Sequence, residues 1–321
     1  MSVSNHDPIF IVGCPRSGTT FLQALLSSTS RMIIPPESDF ILRLHRRFHD
    51  CRGSQLHANE ISQALDDLYN PRRSFRNWDL PREVVAEHLS RRELMTPVGF
   101  IEGVHEAYLL RHPGKTRWGC KVPYFALHIA ELAAIFPRGK FIHLVRDGRD
   151  TFLSMQDRRK QGATHFPRTV TRAAWMWRKL VSAASRGGDL IGSHYREVRY
   201  EDLVKNVQTT LQGICDFLDE PFTEEMVSHC YGELSRHQPL RMSDMFKYVK
   251  KEVDASNTER WKRQMPPQEV FQYQAISGQE LAEFGYPLAA SGASIGLRVR
   301  ARTAICRILY RVWDNTSGIF K

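Results

Sequence analysis

A chain of 321 residues, 42% hydrophobic and 25% charged, can bury a substantial core, which excludes a fibrous or wholly disordered protein. Its 45 Lys and Arg against 35 Asp and Glu leave a net charge of +10, which favours an anionic ligand or surface. No aromatic-basic signature or Cys/His finger spacing accompanies that charge, which argues against nucleic acid as the partner. Cys14, Cys51, Cys120, Cys215, Cys230 and Cys306 are scattered without a Cys-x-x-Cys pair. They suit buried thiols in a reducing compartment better than a disulfide framework or a zinc site. Met1 to Pro8 is short and polar, without a signal-peptide core, and no run reaches the apolar length of a membrane span. The expectation is a cytoplasmic protein.

The first predicted element is an apolar strand beginning at Ile9. It enters Gly13-Cys14-Pro15-Arg16-Ser17-Gly18-Thr19-Thr20 and opens directly into the apolar helix Phe21 to Leu26. Gly13 and Gly18 bracket four residues as in a P-loop, so that successive N–H groups can face an anion beside a helix N-terminus. A nucleoside triphosphatase needs Lys after the second glycine; Thr19 stands there, and Arg16 is the only cation in the loop. Such a cradle suits a terminal phosphate or a phosphosulfate better than a triphosphate with its magnesium. Next, Pro35 and Pro36 hold extended a loop that ends in Glu37. That carboxylate is either aimed at a ligand or an ordinary solvated group capping the helix that Ser38 or Asp39 begins. Residues 40–115 are rich in Arg and His, with helical periodicity over Glu60 to Leu68 and Pro81 to Leu94. An insertion of this kind sits above strand ends, where an acceptor binds.

A strand through Trp118-Gly119-Cys120 ends at Lys121. His128, in the apolar helical stretch Ala126 to Ala133, reads as a packed structural histidine. A second apolar strand, Phe141 to Val145, ends in Arg146 and passes through Gly148 into a helix bearing Ser154, so that Arg146 and Ser154 face one ligand. An arginine fork matches a phosphate dianion. The rival reading makes Arg146, Asp147, Arg149 and Asp150 a mixed-charge surface loop. Residues 165–186 form a long helix that packs Trp175 and Trp177 on the core. Val198-Arg199-Tyr200-Glu201-Asp202-Leu203 is a strand end, and Asn257 to Lys262 precedes Gly285-Tyr286-Pro287. From Ala289 a small-residue linker leads to a basic amphipathic helix. Its apolar face is suited to peripheral contact with an anionic membrane, or to docking on the chain itself or on a second subunit in a homodimer.

Pro15-Arg16-Ser17-Gly18-Thr19-Thr20, the Arg146 to Ser154 segment, the Tyr200-Glu201-Asp202-Leu203 strand end and the Trp261 and Tyr286 motifs resemble sulfotransferases that use 3′-phosphoadenosine-5′-phosphosulfate (PAPS). The layout is similar to that of tyrosylprotein sulfotransferases and related bacterial enzymes, and the resemblance spans residues 8 to 288. It implies an α/β, P-loop-like three-layer fold with a central parallel sheet and helices on both faces. Residues 1–288 would be the catalytic domain, with 40–115 as its helical acceptor-side insertion, and 289–321 the linker and tail. It further implies that Pro15 to Thr20 hold the 5′-phosphosulfate, that Arg146 and Ser154 hold the 3′-phosphate, and that Tyr200 and Lys251 touch the cofactor. Arg16 and Lys121 would stabilise charge at the scissile bond. Glu37, twenty-one residues after Arg16 as in the tyrosylprotein enzymes, would be the general base. The expected reaction is metal-free sulfuryl transfer from PAPS to a hydroxyl, leaving 3′-phosphoadenosine-5′-phosphate (PAP). The acceptor would be a tyrosine in a peptide or protein, with a carbohydrate or lipid-linked hydroxyl as the alternative. A P-loop kinase and a non-catalytic nucleotide-binding protein are the readings from other classes. The small-phenol branch carries a histidine shortly after its lysine; here Pro123 follows Lys121 at the second position, which favours a carboxylate base.

Overall fold

The computed structural model describes residues 7–29, 31–48, 55–228 and 257–290. Lys251, Cys51, Cys230, Cys306 and the tail from Ser291 lie outside the described residues.

Five parallel strands form the sheet, in the order β2-β3-β1-β4-β5. They are β1 (Ile9–Gly13), β2 (Met32–Ile33), β3 (Arg117–Lys121), β4 (Lys140–Val145) and β5 (Tyr195–Arg199). Central β1 pairs with β3, Ile11 opposite Lys121, and with β4, Gly13 opposite Leu144. The apolar runs of β1 and β4 have no polar face because both faces are covered, as parallel sheets require. Phe10, Val12, Phe141 and Val145 join one core cluster, and Ile9, Ile11, Ile142 and Leu144 join the other. The strand period of two thus sorts neighbouring side chains into two separate cores.

Helix α1 (Thr19–Ser27), α9 (Tyr200–Lys205) and α10 (Val207–Leu218) supply the second of these cores. The first is covered by α2 (Phe40–Arg47), α3 (Ala58–Leu68), α4 (Arg82–Ser90), α5 (Pro97–Leu110), α6 (Ile129–Ile135), α7 (Gly148–Lys160), α8 (Val170–Ile191), α11 (Trp261–Gln264) and α12 (Pro267–Glu283). This is the expected three-layer α/β arrangement. Helices α2 to α5 are inserted between β2 and β3, the two strands at one edge of the sheet. Among the described residues no helix is long and apolar enough to cross a membrane.

Strand order sets the position of the site. In a parallel sheet all carboxyl ends face the same way, and ligands bind where the loops leaving them diverge. Gly13, Lys121, Val145 and Arg199 end adjacent strands, so the loops carrying Arg16, Arg146 and Tyr200 share one edge with Lys121.

Candidate active site

The cradle is a tight turn between β1 and α1. Ser17 closes it by donating from both its backbone N–H (3.1 Å) and its hydroxyl (2.7 Å) to the Cys14 carbonyl. Arg16 has φ 75°, an uncommon conformation for a residue with a Cβ, and Gly18 has φ 96°. Gly18 is the N-cap of α1, and no side chain caps that end, so the first-turn amides of a helix carrying Thr19 and Thr20 face the loop's concavity. A Cβ on Gly18 would come within 2.5 Å of the Tyr200 ring. Tyr200, which opens α9 at the end of β5, therefore packs directly on the cradle.

Arg146 lies against that ring and meets the backbone of Arg16. Arg16 donates from Nε to the Ser154 hydroxyl at 3.2 Å. Arg146 donates to the Arg16 carbonyl at 3.1 Å and to the Asn257 carbonyl at 2.8 Å, and its guanidinium lies 4.6 Å from the Tyr200 ring centre. Burial, with the like charges of Arg158 and Arg146, pushes the Arg16 guanidinium down to about 10. It stays charged at neutral pH, but at a cost that an anion among the three guanidinium groups would relieve. Arg158, one turn beyond Ser154 on α7, is a cation that motif reading passed over. Among the described residues the buried Nε of Arg146 has no hydrogen-bond partner, a donor left for a ligand.

The start of α7 is a buried polar knot. Asp147 accepts a two-pronged bond from the fully buried Arg149 (2.9 and 2.7 Å) and caps the helix through the Arg149 N–H. The Arg149 guanidinium also lies 3.6 Å from the Trp261 ring centre. Asp150 accepts from the Trp261 backbone N–H at 2.8 Å. Glu201 accepts from the Asp147 N–H at 3.0 Å and the Tyr286 hydroxyl at 2.9 Å, and the Trp177 indole donates to the Arg146 carbonyl at 2.9 Å. The motifs around Trp261, Tyr286 and Glu201 therefore converge on the backbone that carries Arg146. The surface-loop reading of Arg146 to Asp150 is wrong: these side chains are at most 6% exposed. Pairing inside the knot makes that burial tolerable.

The second half of the site lies across β1. Lys121, at the end of β3 and only 6% exposed, donates to Glu37 at 2.8 Å. Asp39 occupies the N-cap of α2 without a side-chain cap bond, and Glu37 turns to Lys121. Three consecutive carbonyls hold the loop before Glu37. Gln23, buried on α1, donates to Ile34 (3.0 Å) and Pro35 (2.8 Å), and the Trp78 indole donates to Pro36 (2.8 Å). Neither residue was singled out from sequence, although Gln23 is a lone amide in the apolar run Phe21 to Leu26. Through it the cradle helix grips the loop that bears the carboxylate.

Beside Glu37 a cleft of about 860 Å³ opens between α2, the 3₁₀ turn Ser74–Trp78 and the segment after β3, with Leu42, Tyr124 and Phe125 in its walls. His128 also lines it. This corrects the reading of His128 as a packed core residue: it precedes α6 and contacts Arg46 at 3.0 Å. Cys14 is 1% exposed, and burial drives its thiol far above the ordinary range, so the cradle thiol is a packing group rather than a point of modification.

Residues 8–224 match the family model described as "Sulfotransferase family", which covers more than half of the chain. The chain belongs to the sulfotransferase family. Among curated relatives, this sulfotransferase is 25% identical to protein-tyrosine sulfotransferase A of Caenorhabditis elegans over 293 residues, covering 90% of this chain and 69% of that protein. It is 26% identical to protein-tyrosine sulfotransferase 1 of Rattus norvegicus, covering 91% of this chain and 73% of the relative. Solved structures that share its fold include two sulfotransferase domains. The sulfotransferase domain of the curacin biosynthetic pathway has a TM-score of 0.58 at 22% identity, covering 88% of this chain and 99% of that one. The sulfotransferase domain of the Synechococcus PCC 7002 olefin synthase has a TM-score of 0.57 at 21% identity, covering 89% and 98%.

Proposed function

We propose that this sulfotransferase uses PAPS as donor and sulfates the hydroxyl of a tyrosine in a peptide or protein, with Glu37 as general base. The observation that carries the donor assignment is the crowding of Arg16, Arg146 and Arg158 around an uncapped helix N-terminus, with a buried Arg146 N–H left without a partner among the described residues. Pro15 to Thr20 and Arg16 would hold the 5′-phosphosulfate, Arg146 and Ser154 the 3′-phosphate, and the Tyr200 ring would border the nucleotide. The donor supplies a sulfuryl group on a phosphate leaving group. Lys121, nearly buried, places a positive charge where charge builds on the transferring oxygens, an interaction strengthened by exclusion of water. Glu37, 46% exposed, can release Lys121 and accept the acceptor's proton. The carboxylate base and the names of the curated relatives support a tyrosine acceptor.

Calorimetric titration with PAP in EDTA, with magnesium-ATP as the comparison, tests the donor site. Binding of PAP that is tight in the wild type and weakened about tenfold or more in Arg146→Ala is expected from the loss of a charge-assisted fork. Preference for magnesium-ATP would support a kinase instead.

A further inference from the structure

The peptide group between Arg146 and Asp147 is held on both sides by side chains from other elements. The Arg146 carbonyl accepts from the Trp177 indole of α8 at 2.9 Å, and the Asp147 N–H donates to Oε1 of Glu201 on α9 at 3.0 Å. A planar peptide fixed at its carbonyl and at its N–H cannot turn about its own axis. The direction in which the Arg146 side chain leaves the backbone is fixed with it. The guanidinium itself donates to the carbonyls of Arg16 and Asn257, neutral partners that leave its charge for an anion. Glu201 uses its second oxygen as well, accepting from the Tyr286 hydroxyl at 2.9 Å. The carboxylate of Asp147 is taken by the two-pronged bond from Arg149, so it does not compete for these donors. Glu201 is 7% exposed, and burial pushes its carboxyl up. Burying such a group is costly unless its hydrogen bonds are made. A leucine would fill similar space without that cost, so packing alone does not account for a carboxylate at this position.

We infer that Glu201 is the positioning residue for 3′-phosphate recognition: by holding the Arg146–Asp147 peptide it aims the Arg146 guanidinium, and so sets the preference for a 3′-phosphorylated nucleotide. The inference rests on the reading of Arg146 as a ligand of the 3′-phosphate. Glu201 acts through Arg146 and is assigned no contact with the nucleotide. The 5′ end is held by the cradle at the end of β1, a different strand, so the effect of Glu201 is confined to the 3′-phosphate.

The test compares calorimetric affinities for PAP and for adenosine 5′-phosphate (AMP), which lacks the 3′-phosphate, so that the ratio of the two isolates the contribution of that group. Glu201→Leu is expected to lower the ratio about tenfold, the scale of one charge-assisted hydrogen bond, with AMP affinity per folded molecule within about threefold of wild type. Glu201→Gln keeps a carbonyl oxygen for the Asp147 N–H and should restore the ratio to within about threefold. In an Arg146→Ala background Glu201→Leu should lower the ratio by no more than about twofold further, because the two residues act as one unit. If Glu201→Leu does not fold, Tyr286→Phe, which deletes only the hydroxyl bonded to Glu201, gives the same readout with an expected fall of about threefold. A ratio unmoved by these substitutions, a Gln variant as impaired as the Leu variant, or losses that add in full to that of Arg146→Ala overturns the inference while the reading of Arg146 stands. If the wild type binds PAP no more tightly than AMP, the reading of Arg146 itself fails and the inference falls with it.

Discussion

Gln23→Met tests whether the cradle helix positions the base. The side chain is 3% exposed and nearly isosteric with methionine, so the exchange removes an N–H donor group with little change of volume. The carbonyls of Ile34 and Pro35, both in buried residues, lose their Gln23 bonds of 3.0 and 2.8 Å. At about 1–2 kcal/mol for each acceptor left unsatisfied, the expected loss of stability is about 2–4 kcal/mol. Neither carbonyl touches the cradle, and the Trp78 bond to Pro36 remains to restrain the loop. PAP affinity is therefore expected to stay within about twofold of wild type. Displacement of a catalytic group by about 1 Å costs roughly a hundredfold in rate, and with one of three bonds retained a fall in kcat of about 10- to 100-fold is expected. The assay is PAP release under saturating donor and acceptor, normalised to calorimetric PAP-binding sites so that unfolded protein does not count. A kcat per site within threefold of wild type, together with the expected loss of stability, would refute a positioning role and leave Gln23 as packing alone.

Three other outcomes are expected. Lys121→Met lowers kcat by about 10²- to 10³-fold in steady-state assays, with PAP affinity little changed; an unimpaired kcat would remove Lys121 from the transition state. Gly18→Ala combines strain at φ 96° with a collision against the Tyr200 ring. It is expected to cost about 1–3 kcal/mol and to weaken PAP binding in calorimetry more than tenfold; unchanged binding would show that Tyr200 does not border the ligand. Asp150, buried and close to Asp147, has its carboxyl pushed up to about 6. A raised carboxyl binds its proton more tightly in the folded than in the unfolded state, so its contribution to stability is greatest below the ordinary aspartate range and is lost as pH rises through 6. Denaturant unfolding at pH 5 and pH 7.5 should show Asp150→Asn abolishing this component, whereas an identical pH slope in the variant would exclude it.

Strands β1 and β4 were legible because largely apolar runs leading into Gly13 and Arg146 have few other structural solutions. Strand β2, only Met32–Ile33, was too short to show a period. Helix α8 was expected at 165–186 and runs over Val170–Ile191. Thr169 caps its start, and Gly187 and Gly188, which ordinarily weaken a helix, are kept inside it by close approach to Ile129 and Tyr195. Helix α4 ends at Ser90, before the Leu94 that periodicity favoured; Leu94 is 58% exposed. The family resemblance singled out Glu37, but its partnership with Lys121 links residues 84 apart, and no local pattern contains it. The same holds for His128 with Arg46 and for the knot around Asp147. These are pairings across elements, where burial and charge are decided by tertiary neighbours rather than by the segment itself. Lys251 and the tail from Ser291 belong to residues outside those described.

The order of strands also divides the labour of the enzyme. Cradle, Arg146 and Tyr200 hang from β1, β4 and β5, while Glu37 and the cleft wall depend on β2, β3 and the four helices between them. On the proposed assignment, substitutions on one flank of the sheet would alter the acceptor that is recognised while the other flank keeps its hold on activated sulfate. Gln23 is the hinge-pin between them: whatever replaces the recognition flank must still present backbone carbonyls to that one amide.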